Sequence, residues 1–167
     1  MAIYHASCKP LGRSAGRSSV AAAAYRAGVE LVDQRTGVIH DYSRKSGVVM
    51  SEVIAPHGLS LDRGALWNMA ESSEKRSDGR TAREWVIALP AELDEADRTA
   101  CAREFSRWLS DRYQVAADLA IHEPGRHGDS RNFHAHILLT TRRLTVDGQL
   151  AGKADIELDG SKLKALG

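Results

Sequence analysis

The chain has 167 residues, 43% of them hydrophobic, 27% charged and 5% aromatic, with a formal net charge of +1. That is enough chain for one sizeable core, so a single domain over 1–167 is the expectation. The longest apolar stretch near the N-terminus, Val20 to Tyr25, is far short of a membrane span, and Cys8 and Cys101 form no C-x-x-C pair; membrane insertion and a disulfide framework are not expected, and a reducing cytosol fits.

Residues 2–8 read as a first strand, and Pro10 to Gly16 as a basic, glycine-containing loop. Ser18 or Ser19 can cap a following helix that Val20 and Ala21 to Ala24 favour and Gly28 ends, which puts Tyr25 in its last turns. Around Arg35-Thr36-Gly37 the stretches 29–34 and 38–43 predict a hairpin, and 47–55 a further strand. Ser60 opens a predicted helix with Leu61, Ala65, Leu66, Met69 and Ala70 at helical spacing, fading between Glu74 and Arg80. A strand over 83–89 stops at Pro90, and Asp94 to about Arg112 is a long amphipathic helix with Cys101, Phe105, Trp108 and Leu109 on one face. Strands follow at 116–122 and 133–142, joined by a long loop with Pro124, Gly125 and Gly128. Beyond Arg143 come strand-like pieces around Asp147-Gly148, then a helix start cut short at 161–167, as if the domain were the N-terminal part of a longer protein. The expected class is α+β, with a central, largely antiparallel sheet flanked by helices.

Period-2 alternation puts His134 and His136 on one face of their strand and Phe133, Ala135 and Ile137 on the other. If that strand pairs antiparallel with 116–122, His122 arrives beside them. Three imidazoles with open positions left over suit a catalytic metal, and their convergence favours a metal site over separate structural histidines. His127 is a weaker candidate, and His40 and His57 are assigned to the surface. Glu84, on the face shared by Val86 and Ala88, is read two ways: a carboxylate that orients a ligand histidine or handles a proton, or a solvated strand-end side chain. A tyrosine on an alanine-rich helix, taken alone, reads as a packing residue.

Charge is uneven along the chain. Residues 1–45 and 126–143 are predominantly basic, whereas Glu92, Asp94, Glu95, Asp97, Glu104 and Asp111 concentrate between 91 and 111, around the long helix. Either the basic side docks a polyanion or these are ordinary solvated faces.

Five segments, in order, resemble the MobA/MobL family of plasmid-mobilisation relaxases: Ala-Ile-Tyr-His-Ala-Ser at 2–7, Gly-Arg-Ser-Ser-Val-Ala-Ala-Ala-Ala-Tyr-Arg-Ala-Gly at 16–28, His-Asp-Tyr-Ser-Arg-Lys-Ser-Gly-Val at 40–48, Ile-Ala-Leu-Pro-Ala-Glu-Leu at 87–93 and Asn-Phe-His-Ala-His-Ile at 132–137. The last matches the histidine-hydrophobic-histidine motif of HUH endonucleases. The resemblance implies an HUH relaxase-type fold and site-specific nicking and rejoining of single-stranded DNA at a plasmid origin of transfer. The implied route is metal-dependent tyrosine transesterification through a 5′-phosphotyrosine intermediate. On that resemblance Tyr25 matches the nucleophile, His122, His134 and His136 the metal ligands, and Glu84 the acidic residue near the metal. It implies magnesium or manganese in use, although three imidazoles also suit zinc, nickel or cobalt. Arg13, Arg17, Arg26, Arg44, Lys45, Arg126 and Arg131 are candidates for backbone phosphate contacts. Relaxosome accessory proteins and a coupling protein are the further partners implied. Rolling-circle replication initiators and HUH transposases share the chemistry, but in them the tyrosine follows the histidine motif, whereas Tyr25 precedes it. A non-catalytic DNA-binding or metal-stabilised module is the alternative outside enzymes.

Overall fold

The structure, a computed structural model, describes residues 5–156. Its centre is a five-stranded, wholly antiparallel sheet of β1 (Ala6–Gly12), β4 (Val48–Ile54), β5 (Arg80–Leu89), β6 (Ala117–His122) and β7 (Phe133–Thr140), in the spatial order β1-β5-β7-β6-β4. Two hairpins stand outside it: β2 (Glu30–Asp33) with β3 (Val38–Asp41), and β8 (Arg142–Leu144) with β9 (Leu150–Lys153). The helices are α1 (Ser19–Ala27), α2 (Arg63–Ser73) and α3 (Glu95–Tyr113). The predicted α+β class with a largely antiparallel centre is what the chain adopts.

Strand alternation decides which helix packs where. In β7, Ala135, Ile137 and Leu139 join Leu119, Ile121 and Leu89 in a core that α3 seals with Ala102, Phe105 and Leu109. On the opposite face Leu138, with Ala82 and Leu11, packs against Val20 and Ala23 of α1 and Leu66, Trp67 and Ala70 of α2. His134 and His136 lie on this second face, beyond the apolar packing at Leu138.

Local chemistry explains the helix ends. The Ser18 hydroxyl caps α1 by accepting from the Ala21 N–H, and Gly28 closes the helix in the left-handed region at φ 66°, its amide returning to the Ala24 carbonyl. At α2 the cap is Asp62, whose carboxylate accepts from the Ala65 N–H at 2.9 Å; the helix therefore starts at Arg63, later than Ser60 implied. Strand β1 also runs on through Pro10 to Gly12, shortening the expected loop, because an edge strand tolerates a residue without an N–H. Strand β5 starts earlier than expected, at Arg80, to match it. The turn at Asp147-Gly148 joins β8 to β9 as expected, whereas the helix start at 161–167 lies outside the described residues.

Two buried carboxylates hold the helices to this frame. Glu71 of α2, 1% exposed, accepts from the Ser19 N–H and hydroxyl, each at 2.8 Å, and from Arg13 Nε at 2.9 Å. A negative charge at the start of α1 also complements the helix dipole. Asp118 of β6 takes Arg63 Nε and Trp67 Nε1, both at 2.9 Å, fixing α2 over the sheet.

Candidate metal and nicking site

The imidazoles meet where the second face is left uncovered. His122 ends β6 directly opposite His134 near the start of β7, and His136 follows two residues on. Ring centroids are 4.6 Å apart for His122 and His136, 5.0 Å for His134 and His136, and 5.4 Å for His122 and His134. One ring nitrogen from each lies within 4.8 Å of the other two.

One nitrogen of each ring has a protein acceptor. His122 Nε2 donates to the Arg26 carbonyl at 2.7 Å, His134 Nδ1 to the Asn132 carbonyl at 3.1 Å, and His136 Nδ1 to Glu84 Oε2 at 3.0 Å. A carbonyl only accepts, and an ionised carboxylate only accepts, so those nitrogens carry the protons. The lone pairs of His122 Nδ1, His134 Nε2 and His136 Nε2 are left over. Burial pushes His122 down to about 4, reinforced by the charges of His136, Lys45 and His134 and opposed by its bond to the Arg26 carbonyl. Burial lowers His134 as well. Oriented imidazoles with a supporting acceptor behind each ring fit a divalent cation.

Glu84 does not dangle in solvent. Burial would raise its pKa, but hydrogen bonds from His136 and Arg26, with their charges, hold it at about 2. Arg26 engages it through Nε and through Nη2, the latter 2.9 Å from Oε1. Arg26 therefore supports two imidazoles, one through its backbone carbonyl and one through Glu84. Its guanidinium is committed inside the site, and that of Arg13 is committed to Glu71 and to the carbonyls of Glu71, Glu74 and Arg76. These two arginines were grouped with the phosphate contacts on sequence; the folded chain gives both structural work. Glu71 and Glu84, the carboxylates that recruit them, are far away in sequence, so no local signal pairs either with its arginine.

Tyr25, one residue before Arg26, is 48% exposed on the last turn of α1. Its ring meets Tyr42 edge-on at 5.2 Å, and Lys45 Nζ sits 3.8 Å above its centroid while donating to the Tyr25 carbonyl at 3.0 Å. Burial and the Arg26 charge lower the Lys45 pKa. A cleft of about 330 Å³ is lined by Tyr25, Lys45, His122, Glu123, Arg126 and His134, bringing the tyrosine and the histidine cluster onto one surface. Arg17, Arg44 and Arg126 are exposed, while Arg131 pairs with Asp129 at 2.6 Å. His127 is exposed in its loop, outside the cluster, and His57 Nε2 lies 3.2 Å from the Leu144 carbonyl. Sequence reasoning missed the Lys45 and Tyr42 contacts with Tyr25; the run 40–48 was noted, but nothing in its spacing points at α1.

The MobA/MobL family model matches residues 17–165. The chain belongs to the MobA/MobL family. The mobilization protein MobL of Acidithiobacillus ferridurans is 48% identical over 95% of this chain and 47% of its own length. A probable mobilization protein MobA of Bifidobacterium longum is 32% identical over 94% of the chain and 27% of its own length. The chain thus spans about half the length of the first of these MobA/MobL relatives and less of the second. Among solved structures, one described as the molecular basis of vancomycin resistance transfer in Staphylococcus aureus matches with a TM-score of 0.81 and 31% identity, over 90% of this chain and 76% of that one. The conjugative relaxase TrwC, solved metal-bound in complex with oriT DNA, shares the fold at a TM-score of 0.54 and 16% identity, over 92% of this chain and 63% of that one. The MobA/MobL chain therefore has the relaxase fold. No helix among its described residues is long and apolar enough to cross a membrane.

Proposed function

We propose that the chain nicks and rejoins one strand of DNA at an origin of transfer by transesterification, with Tyr25 as nucleophile. The observation that carries this reading is the shared cleft: a solvent-accessible tyrosine and two members of a three-histidine cluster line one groove with Lys45 and Arg126. Membership of a family of mobilisation proteins supports DNA as the substrate.

The phenol of Tyr25 attacks the scissile phosphorus in line with the bond to the 3′ oxygen, giving a 5′-phosphotyrosine and a free 3′-hydroxyl. Phosphodiester energy is retained, so the reverse reaction reseals the strand. A divalent cation, magnesium or manganese in use, would be held by His122, His134 and His136 and would supply charge neutralisation at the non-bridging oxygens. Glu84 orients His136 and keeps its Nδ1 protonated, and Arg26 fixes Glu84 and His122 together. Lys45 restrains the Tyr25 ring and places a positive charge beside the incoming phosphate. Arg17, Arg44, Arg126 and Arg131 contact the flanking backbone, giving affinity with little base choice. Accessory proteins and a coupling protein of the transfer machinery are the partners this activity requires.

The test is Tyr25→Phe, which removes one oxygen. With a single-stranded oligonucleotide spanning the nick site and labelled on its 3′ side, the wild type gives a denaturation-resistant protein–DNA band that mass spectrometry maps to Tyr25. The variant keeps folding, metal binding and most DNA affinity but gives no band. An adduct on Tyr42 or Tyr113, or normal cleavage by the variant, refutes the assignment.

A further inference from the structure

A second cleft, of about 550 Å³, opens on the other flank of the histidine cluster. His134 lines both clefts; the first also holds Tyr25, and the second holds His5, Val86, Ala88, Asp129 and Asn132. Register explains its shape. The His5 carbonyl accepts from the Ala88 N–H at 2.8 Å, and Ala88 pairs with His134, which pairs with His122. His5, Ala88, His134 and His122 thus form one row across neighbouring strands, on one face. Strands lie about 4.8 Å apart, so His5 and His134 stand roughly 10 Å apart across the small Ala88 side chain. That gap admits a sugar-phosphate unit.

We infer that this second cleft seats the nucleotide on the leaving side of the nick and that His5 hands a proton to its departing 3′ oxygen. The inference rests on the reading of Tyr25 as nucleophile. Attacking and leaving oxygens lie on opposite sides of the phosphorus. With the phosphate at the histidine cluster and Tyr25 in the first cleft, the 3′ oxygen points into the second. Groups facing that space are apolar Val86 and Ala88 from β5, His134 and His136 from β7, and Asn132 and Asp129 from the connecting loop. Asp129 is held down to about 2 by the hydrogen bond from Arg131, so it carries no proton to give. His134 and His136 already spend one nitrogen on protein acceptors and face the cluster with the other. His5 is the exposed imidazole of the cleft, and imidazole is the side chain suited to proton exchange near neutral pH.

The step balances. Tyr25 Oη bonds to phosphorus, the bond from phosphorus to the 3′ oxygen breaks with its electron pair on that oxygen, and the His5 imidazolium proton moves there. The phenol proton goes to solvent base and His5 is left neutral. In resealing, neutral His5 takes the proton from the 3′-hydroxyl as it attacks.

A bridging-sulfur substrate isolates this step, because a thiolate leaves without a proton. Two nick-site oligonucleotides, one normal and one with sulfur in place of the scissile 3′ oxygen, are cleaved by the wild type and by His5→Gln, with adducts mapped. General acid catalysis contributes about 10²-fold or more, so the variant should lose at least that much on the oxygen substrate. It should cleave the sulfur substrate at the wild-type rate. Equal slowing on both substrates would assign His5 to binding or folding and overturn the proposal, as would no slowing on either. Absence of a Tyr25 adduct in the wild type with either substrate would instead sink the nucleophile reading, and this proposal with it.

Discussion

Replacing Glu84 with glutamine keeps the side chain's size and removes its charge. In the native site one carboxylate oxygen accepts from His136 Nδ1 at 3.0 Å while the other takes Arg26 Nη2 at 2.9 Å. The anion fixes the tautomer and orientation of His136, and loss of such a supporting partner typically weakens metal binding by about 10- to 100-fold, or roughly 1.4 to 2.7 kcal/mol. Titration calorimetry with manganese(II) at pH 7 should show that loss in Glu84→Gln. Stability should change too, with a defined sign. Glu84 titrates at about 2 when folded against an ordinary value of 4.5, so its ionised form favours the folded state. The gap in unfolding free energy between wild type and variant is therefore full above the ordinary value and closes as pH falls toward about 2. Urea melts of metal-free protein across that range measure it. Undiminished manganese affinity in a folded variant, or a gap independent of pH, would refute the argument that an ionised Glu84 orients His136.

His134→Ala removes the imidazole that lines both clefts and should abolish calorimetric metal binding at micromolar concentrations while circular dichroism stays native; retained affinity rejects the three-histidine site. Lys45→Met keeps an apolar stem but removes the ammonium and with it the contact with the Tyr25 ring, worth about 0.5–2 kcal/mol. Adduct formation at saturating DNA should slow by roughly 2- to 30-fold, a change in maximal rate that a pure phosphate contact does not predict. Arg63→Met leaves Asp118 buried without its cation and should cost about 3–5 kcal/mol in urea unfolding. Neutralising any one of Arg17, Arg44 or Arg126 should reduce the salt slope of single-strand binding by about 0.7, whereas substituting Arg13 should destabilise the fold instead.

Local information in the sequence was sufficient for most of the elements. Strand alternation put His134, His136 and Glu84 on the correct face, Ser18 and Gly28 bracketed α1, and Arg35-Thr36-Gly37 marked the hairpin turn. Such signals depend on neighbours within one turn or one strand pair, and backbone geometry translates them directly into side-chain direction. Errors fell at boundaries, where long-range pairing outweighs local preference: β5 starts early because β1 continues through Pro10 as an edge strand.

The ordered chain of motifs, from the alanine-rich tyrosine segment to the histidine pair, determined the family, and the antiparallel pairing of β6 with β7 was already implicit in the convergence of His122 with His134. What only the tertiary structure decided was the work of the charged side chains. Arg13 and Arg26 read as a basic surface in one dimension, yet each is captured by a carboxylate 58 residues away. An arginine partly withdrawn from water must find an anion, and which anion lies within reach is set by how α1 and α2 settle on the sheet. The same packing brings Lys45 over the Tyr25 ring and leaves His5 open at the far side of the histidine row, positions no local pattern encodes.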